Sequence, residues 1–316
     1  MSHPPYHLRV NKAVDRLALI EAIRLLEKLC DGDLSAYTYY GLGGPFLEDF
    51  RLLYELYPRL AMASLEEKRE IYKRQRFHLP CGTLRLYHTD VRSFLKRHRV
   101  QQRKSIFWLD FTGLRYGHID DFMTLLEWVD ADSMIKITLQ AEPKRYPKTP
   151  ESADQFHRQF GAVLPEAPAE LPGMIDGFAL LLQGMLRVAS QKALPSGVPL
   201  MFQPISSFCY SDGTGMFTLT GVVCAREEDA RVRSAFKDWR FANLDWGPPT
   251  WIDMPVLSTK ERLHLQCLLP CGGDPGPALR NALGYLTDDD LELTEAGLRQ
   301  YAHFHRYHPY FVRAMP

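Results

Sequence analysis

Three acidic positions stand at the ends of apolar runs, and a glycine cluster precedes them. Glu66, beside Glu67, follows Leu60–Leu65 (LAMASL). Asp90 follows Leu84–Tyr87 through His88 and Thr89, and Asp110 follows Ser105–Leu109 (SIFWL). Polar side chains just past the strand ends of a parallel sheet face the crevice where a ligand binds. Ahead of them, Gly41-Leu42-Gly43-Gly44 closes an aromatic-rich run, Ala36–Tyr40. Glycines there let the backbone turn tightly and let a ligand approach with no Cβ in the way. A side chain added at Gly43 is therefore expected to fill ligand space and abolish binding while the fold survives. The interval from the glycines to Glu66 is close to the roughly 20 residues that separate such a turn from an acid holding ribose hydroxyls. A carboxylate suits that task because its two oxygens accept from a diol. The same residues also have purely structural readings. The turn needs glycine for shape alone, and Glu66 and Glu67 begin the next helix, where negative charge suits the dipole. Leu65 is the last apolar residue of its run. Glu66 is thus expected at the strand edge facing the crevice, and Glu67 in the first helical turn.

Positioning these groups requires strands that alternate with helices. Asn11–Cys30 reads as a helix with Glu21, Arg24 and Lys28 on one face, stopped by Asp31-Gly32-Asp33. Its charged entry, Arg9 to Lys12 with Asp15 and Arg16 one turn on, is expected to be solvated, with a ligand-facing role as the alternative. Pro45 stands where a first helical turn accepts proline, and Phe46–Tyr57 is predicted as the first crossover helix, ended by Pro58. Lys68–Phe77 is a basic helix. Ser93–His98 and Ile119–Val129 are further helices, Arg97–Lys104 is an exposed basic loop, and Met134–Leu139 is a fifth strand. This alternation implies a parallel sheet with helices on both faces. Asp212-Gly213 between the alternating runs Leu200–Tyr210 and Met216–Val223 signals a hairpin, so the sheet ends in an antiparallel pair.

The predicted fold class is therefore α/β, a doubly wound sheet with a closing hairpin over residues 1–225. The proline-rich stretch 142–199, with a helix over Met174–Lys192, reads as an insertion or lid. Residues 226–316 are expected to form a helical subdomain that contacts a partner or a substrate. In it Ser258 and Glu261 make a capping box for a helix to Leu269, and a glycine–proline loop spans Pro270–Pro277. Leu291–Thr294 then reads as a short strand leading into a helix through Tyr307. That order is compatible with a winged helix and with any small helical appendage. His303, His305 and His308 suggest a metal at first sight, but only His305 and His308 share a helical face. A surface aromatic–basic helix is the expectation, with no metal.

Composition narrows the class. The chain has 316 residues, and 38 Lys plus Arg balance 38 Asp plus Glu, so no global basic field argues for nucleic acid, although local patches remain open. Six scattered cysteines form no CxxC pair, which leaves out the usual zinc and redox spacings and suggests free thiols in a reducing compartment. The amino terminus has no apolar signal core, and no run is long and apolar enough to span a bilayer. A cytoplasmic protein without a membrane partner is expected.

The ordered set is five alternating strands and helices, a glycine turn after strand one, an acid after strand two, an aspartate after strand three, and a closing hairpin. It resembles the class I S-adenosylmethionine-dependent methyltransferases. The hairpin matters most, since a plain dinucleotide domain does not end that way. The phrases YYGLGGPFLEDF, SLEEKREIYKRQ and WLDFTG are similar to a bacterial O-methyltransferase family, over about residues 9 to 225. The resemblance implies S-adenosylmethionine as cofactor. It places Tyr40, Gly41, Gly43 and Gly44 against the methionine part, Glu66 with Glu67 at the ribose, Asp90 near the adenine and Asp110 on the substrate side. Two positions depart from the family pattern. Tyr39 stands where an acid usually precedes the first glycine, and Pro45 replaces the last glycine.

Methyltransferases of nucleic-acid bases carry an Asp/Asn-Pro-Pro-aromatic motif where this chain has Asp110-Phe111-Thr112-Gly113, so the resemblance points to oxygen rather than to base nitrogen. A hydroxyl acceptor needs a base, and Asp110, His88 and His118 are the candidates. The acceptor, small or macromolecular, is not specified by the sequence. The alternative is a methyltransferase-fold protein that binds a nucleotide-like ligand or a protein partner without chemistry. A dinucleotide oxidoreductase is a third reading, disfavoured because Phe46 occupies the third glycine position of GxGxxG.

Overall fold

The structure is a computed structural model that describes residues 9–30, 32–98, 104–146, 149–165 and 171–309. Its first half alternates α1 (Val10–Leu29), β1 (Thr38–Gly41), α2 (Glu48–Leu56), β2 (Ala61–Glu66), α3 (Arg69–Phe77), β3 (Arg85–His88), α4 (Val91–His98), β4 (Ser105–Asp110), α5 (Tyr116–Trp128) and β5 (Ser133–Gln140). There follow α6 (Pro150–Phe160), α7 (Ile175–Ala193), β6 (Leu200–Ser211), β7 (Gly215–Ala225), α8 (Asp229–Phe236), β8 (Thr250–Ile252), α9 (Thr259–Gln266), α10 (Pro275–Leu283) and α11 (Leu291–Phe304). The strands form one eight-stranded sheet in the order β3-β2-β1-β4-β5-β7-β6-β8. β1 pairs in parallel with both β2 and β4, while β5 meets β7 antiparallel through the hairpin's second strand. The doubly wound α/β class read from the alternation is the class observed. Asp31 of the helix stop, most of the basic loop after Arg97, and the first eight residues lie outside the described residues.

Strands buried on both faces read as continuous apolar runs, and β5 is the extreme case, with all eight residues buried. On one face Tyr40 stacks on Phe107 at 4.6 Å and meets Phe94 and Trp128. On the other face the alternation of β5 places Lys136 and Thr138, and the Trp108 indole donates to the Thr138 hydroxyl at 2.9 Å. The Lys136 ammonium lies 5.1 Å from the Trp108 ring and 5.9 Å from that of Phe208, a buried cation within reach of two π faces.

The chain divides into two compact units. One comprises Leu19–Cys209 and Thr214–Thr250; the other comprises Met1–Ala18, Tyr210–Gly213 and Trp251–Pro316. In the first unit α7 packs against α5 and β7, burying Phe178, Leu182, Met185 and Leu186. The same unit includes α8, whose Arg233 donates to the Leu244 carbonyl at 2.9 Å and whose Val232 and Phe236 are buried.

In the second unit the start of α1 is buried rather than solvated: Asn11, Lys12, Asp15 and Arg16 are all nearly inaccessible. The hairpin carboxylate of Asp212 accepts from the Asn11 and Lys12 backbone N–H groups at 3.3 and 2.9 Å, which satisfies donors that a helix start leaves open. The Asn11 side chain extends this by donating to the Ser211 carbonyl and accepting from Met254 N–H. The capping box of Ser258 and Glu261 is present. Leu291–Thr294 is the first turn of α11 and not a strand, because the Asp290 side chain accepts from Leu293 N–H and caps a helix there. Among the described residues from 253 to 309 no strand occurs, so the wing of a winged helix has no counterpart. His308 Nδ1 lies 2.7 Å from the Arg262 guanidinium, and no group of three or more His, Cys, Asp or Glu side chains suited to a metal occurs among the described residues. No helix of the described residues is long and apolar enough to cross a membrane.

Candidate functional site

β1 ends at the point where the strand order reverses, with β2 on one side and β4 on the other. The crevice of an open α/β sheet lies at this switch point. The chain leaves β1 through Gly43 and Gly44, both left-handed with φ of 63° and 53°. Glycine takes that conformation without steric cost. The helix does not follow at once. Leu47 is itself left-handed at φ 55°, and α2 opens only at Glu48, so Pro45 lies in the turn and not in a first helical turn.

The space beside the glycines is filled by the protein. A Cβ on Gly43 would lie 2.8 Å from Leu47 Cδ2, 2.8 Å from Ser64 Oγ and 2.9 Å from Phe50 Cε2. On Gly41 it would lie 3.0 Å from Asp49 Oδ2 and 3.1 Å from the Tyr39 hydroxyl. The glycines therefore admit the entry of α2 onto the strand, which corrects the expectation that a Gly43 side chain would occupy ligand space.

Two residues passed over in the sequence shape this turn. Asp49, buried in the first turn of α2, accepts a short hydrogen bond from the Tyr39 hydroxyl. A carboxylate thus stands against Gly41 although position 39 is a tyrosine. Gln75 is the one buried side chain of α3. Its amide nitrogen donates to the Leu42 carbonyl at 3.2 Å and the Gly44 carbonyl at 2.9 Å, and its amide oxygen accepts from the Ser64 hydroxyl at 3.2 Å. Turning both carbonyls toward α3 fixes the course of the glycine turn. Gln75 follows Ile71 by one helical turn, and that i, i+4 spacing was the signal that it faces inward. Gln75→Leu is expected to lower stability by at least about 2 kcal/mol, because it strands two part-buried carbonyls and the buried Ser64 hydroxyl. Urea unfolding measures this; a change below roughly 0.5 kcal/mol, as at a neutral surface site, would contradict it.

The acids line the carboxyl ends of neighbouring strands. Glu66 is the last residue of β2, half-buried, and Glu67 is exposed beyond it. Burial pushes the Glu66 carboxyl above its ordinary value, partly offset by Lys68 N–H, which donates to Oε1 at 2.7 Å. Asp90 follows β3 and accepts from Ser93 N–H at 2.8 Å, so it caps α4. Its burial raises the carboxyl, but the bonds from Ser93 outweigh this and hold it below the usual range. Asp110 closes β4 and is half-buried.

The base candidates separate. His118 lies in the first turn of α5, its ring stacked on Phe111 at 4.1 Å and 3°. Its Nδ1 is 3.2 Å from the Gly113 carbonyl. A carbonyl only accepts, so Nδ1 carries the proton and Nε2 keeps a lone pair. Burial lowers the His118 pKa and Arg115 lowers it further, against the Gly113 bond, so the ring is neutral near pH 7. His88 is elsewhere. It ends the edge strand β3, stacks on Tyr72 at 5.1 Å and sets Nε2 3.1 Å from the Glu67 carbonyl. Two strands intervene before β4, roughly 14 Å across at ordinary strand spacing. His88 therefore belongs with the Glu66 end and does not share a proton path with Asp110 and His118. Tyr40 also departs from its expected place: its ring is in the aromatic core beneath α4 and α5 and does not line the crevice.

A family model described as "Putative O-methyltransferase" matches residues 4–316, so the match continues through the carboxy-terminal stretch that the sequence resemblance left out. No curated protein matches the chain. Among solved structures, Trm1 from Pyrococcus horikoshii, in complex with S-adenosyl-L-methionine, is 14% identical, with 90% of this chain and 86% of that one covered and a TM-score of 0.46. The plantazolicin methyltransferase BamL, in complex with a triazolic desmethylPZN analog and SAH, is 9% identical over 66% of this chain and 85% of its own, with a TM-score of 0.44. The N-methyltransferase NodS from Bradyrhizobium japonicum WM9 is 9% identical over 66% and 87%, with a TM-score of 0.37.

Proposed function

The chain belongs to that O-methyltransferase family, and on this premise we infer that it moves a methyl group from S-adenosylmethionine to a hydroxyl oxygen. The observation that carries the reading is the glycine turn at the switch point with Glu66 closing the adjacent strand. The donor set suits a nucleoside-containing cofactor: a carboxylate for a diol, a turn of backbone groups, and further acids on the neighbouring strand ends. Glu66 takes the ribose hydroxyls with its remaining acceptor sites, Asp90 lies on the adenine side, and Gly41, Gly43 and Gly44 carry the methionine part. Asp49, fixed by Tyr39, stands for the acid missing at position 39.

When bound, the cofactor supplies a methyl group on a positively charged sulfur, already activated for displacement. The chain's own task is then alignment and proton removal. His118 Nε2 accepts the hydroxyl proton of the acceptor, Gly113 and Phe111 hold the ring in that tautomer and plane, and Asp110 orients the acceptor beside it. The carboxy-terminal stretch, where Leu263, Leu286, Leu291 and Leu293 are exposed, offers a surface for a partner or a substrate. We place the protein in the cytoplasm, in keeping with six unbridged cysteines.

Side-by-side cofactor dissociation constants of Glu66→Ala and Glu67→Ala test the assignment. Glu66→Ala is expected to cost roughly 2–3 kcal/mol, taking about 1.5 for each charge-assisted bond. Glu67→Ala should cost well under about 1 kcal/mol, as an exposed helix-start charge does. A larger loss at Glu67 would exchange their roles, and full binding in both variants would remove the ribose acid.

A further inference from the structure

The outer side of α3 is a built surface that methyl transfer does not use. From Lys68 to Phe77 the chain carries five cations against one acid, Glu70, in a protein whose net charge is zero. Glu70 is engaged by Lys73, which leaves Arg69, Arg74 and Arg76 as the exposed guanidinium groups of this face. At its end Phe77 is 86% exposed, the second largest exposure among the large apolar side chains described. It is not alone: Phe77 meets His78 at 5.2 Å, His78 meets Phe46 at 5.1 Å, and the Arg74 guanidinium lies 4.8 Å from the Phe46 ring. Arg51 locks the arrangement, its Nε donating to the Phe46 carbonyl at 3.2 Å and its NH2 to the His78 carbonyl at 2.8 Å. From the other side, Gln75 ties α3 to the glycine turn. The Phe46 and His78 backbone and the Arg74 guanidinium are therefore tied down, while Phe77 projects from the end of α3.

We propose that this face binds single-stranded nucleic acid, with Arg69, Arg74 and Arg76 on phosphates and a base stacked on the exposed Phe77 ring, which His78 and Phe46 back through edge-to-face contacts. Guanidinium groups match phosphate oxygens in a bidentate fork and also stack on rings. An exposed ring interleaved with such cations is the pairing that sequence-tolerant single-strand binding uses. An acidic peptide would use the cations and leave Phe77 idle. A membrane surface would need an apolar stripe along the helix, whereas the inward residue of α3 is Gln75 and only Phe77 projects. The proposal stands apart from the methyl-transfer reading, since binding requires no cofactor.

The test is fluorescence anisotropy of the full chain with a labelled single-stranded RNA of roughly 16 nucleotides, a length within single-strand site sizes, and with the same sequence as DNA. Polyglutamate and anionic vesicles serve as competitors. Binding of RNA, DNA or both is expected, weakening with salt at a slope of about −0.7 per phosphate neutralised. Arg74→Glu with Arg76→Glu should abolish it. Phe77→Ala should weaken it about tenfold or more with the salt slope unchanged. Preference between RNA and DNA would say which polymer is held. No binding at low salt, equal competition by polyglutamate, capture by vesicles in place of nucleic acid, or full affinity in Phe77→Ala would each overturn the proposal. Phe77 is exposed, so its loss leaves the fold intact, and circular dichroism of each variant checks this.

Discussion

Replacing His118 by asparagine should leave S-adenosylmethionine binding unchanged and lower the methyl-transfer rate constant roughly 10²–10⁴-fold, the range for loss of a positioned general base. Asparagine keeps an amide donor for the Gly113 carbonyl but has no lone-pair nitrogen where Nε2 stands. The pH profile makes the test specific. Burial holds the His118 pKa below the ordinary 6.5, with Arg115 adding to the effect. The base form therefore persists through neutral pH, and the wild-type rate should fall only as pH drops through a pKa under that value. In His118→Asn that acidic limb should vanish. The readout is transfer of labelled methyl from the cofactor to a panel of hydroxyl compounds across pH. An unchanged limb in a slow variant would move the base to Asp110.

Gly43→Val is expected to unfold the protein or to cost it roughly 2–6 kcal/mol. The first contribution is conformational: a β-branched residue in the left-handed region costs about 1–3 kcal/mol, and Gly43 is held at φ 63°. The second is overpacking, about 1–3 kcal/mol in a filled core, because Leu47, Phe50 and Ser64 already stand within 3 Å of the new Cβ. Thermal unfolding with and without cofactor separates this from a ligand clash. A variant of wild-type stability that fails to bind would restore the view that a side chain at Gly43 fills ligand space.

The contrast shows which features periodicity can carry. β2, β4, β5 and the hairpin fall within a residue or two of the apolar runs that predict them, since burial on both faces leaves a continuous signal. Glu66 closing β2 follows from the same signal. The turn after Gly44 does not, because the late start of α2 depends on Leu47 taking a left-handed conformation that tertiary packing imposes. The charged start of α1 read as solvated for the same reason: Asp212, some two hundred residues later, supplies its cap. In the carboxy-terminal stretch, apolar–polar alternation at Leu291–Thr294 lost to one local hydrogen bond from Leu293 to Asp290. The glycine–proline loop likewise hides α10, which Asp274 caps and Pro275 opens. Gln75 was obscured because its neighbours in α3 are basic, and the composition of the helix drew attention to its outer face.

Calorimetric titration of the wild-type chain with S-adenosylmethionine, S-adenosylhomocysteine and NAD tests the central claim most directly. One molecule of either sulfur nucleoside per chain should bind, with the affinity lost in Glu66→Ala and kept in Glu67→Ala, and NAD should give no heat. Binding of NAD, or no binding of the two sulfur nucleosides to a folded chain, would contradict the assignment of the glycine turn and Glu66 to a methyl-donor site.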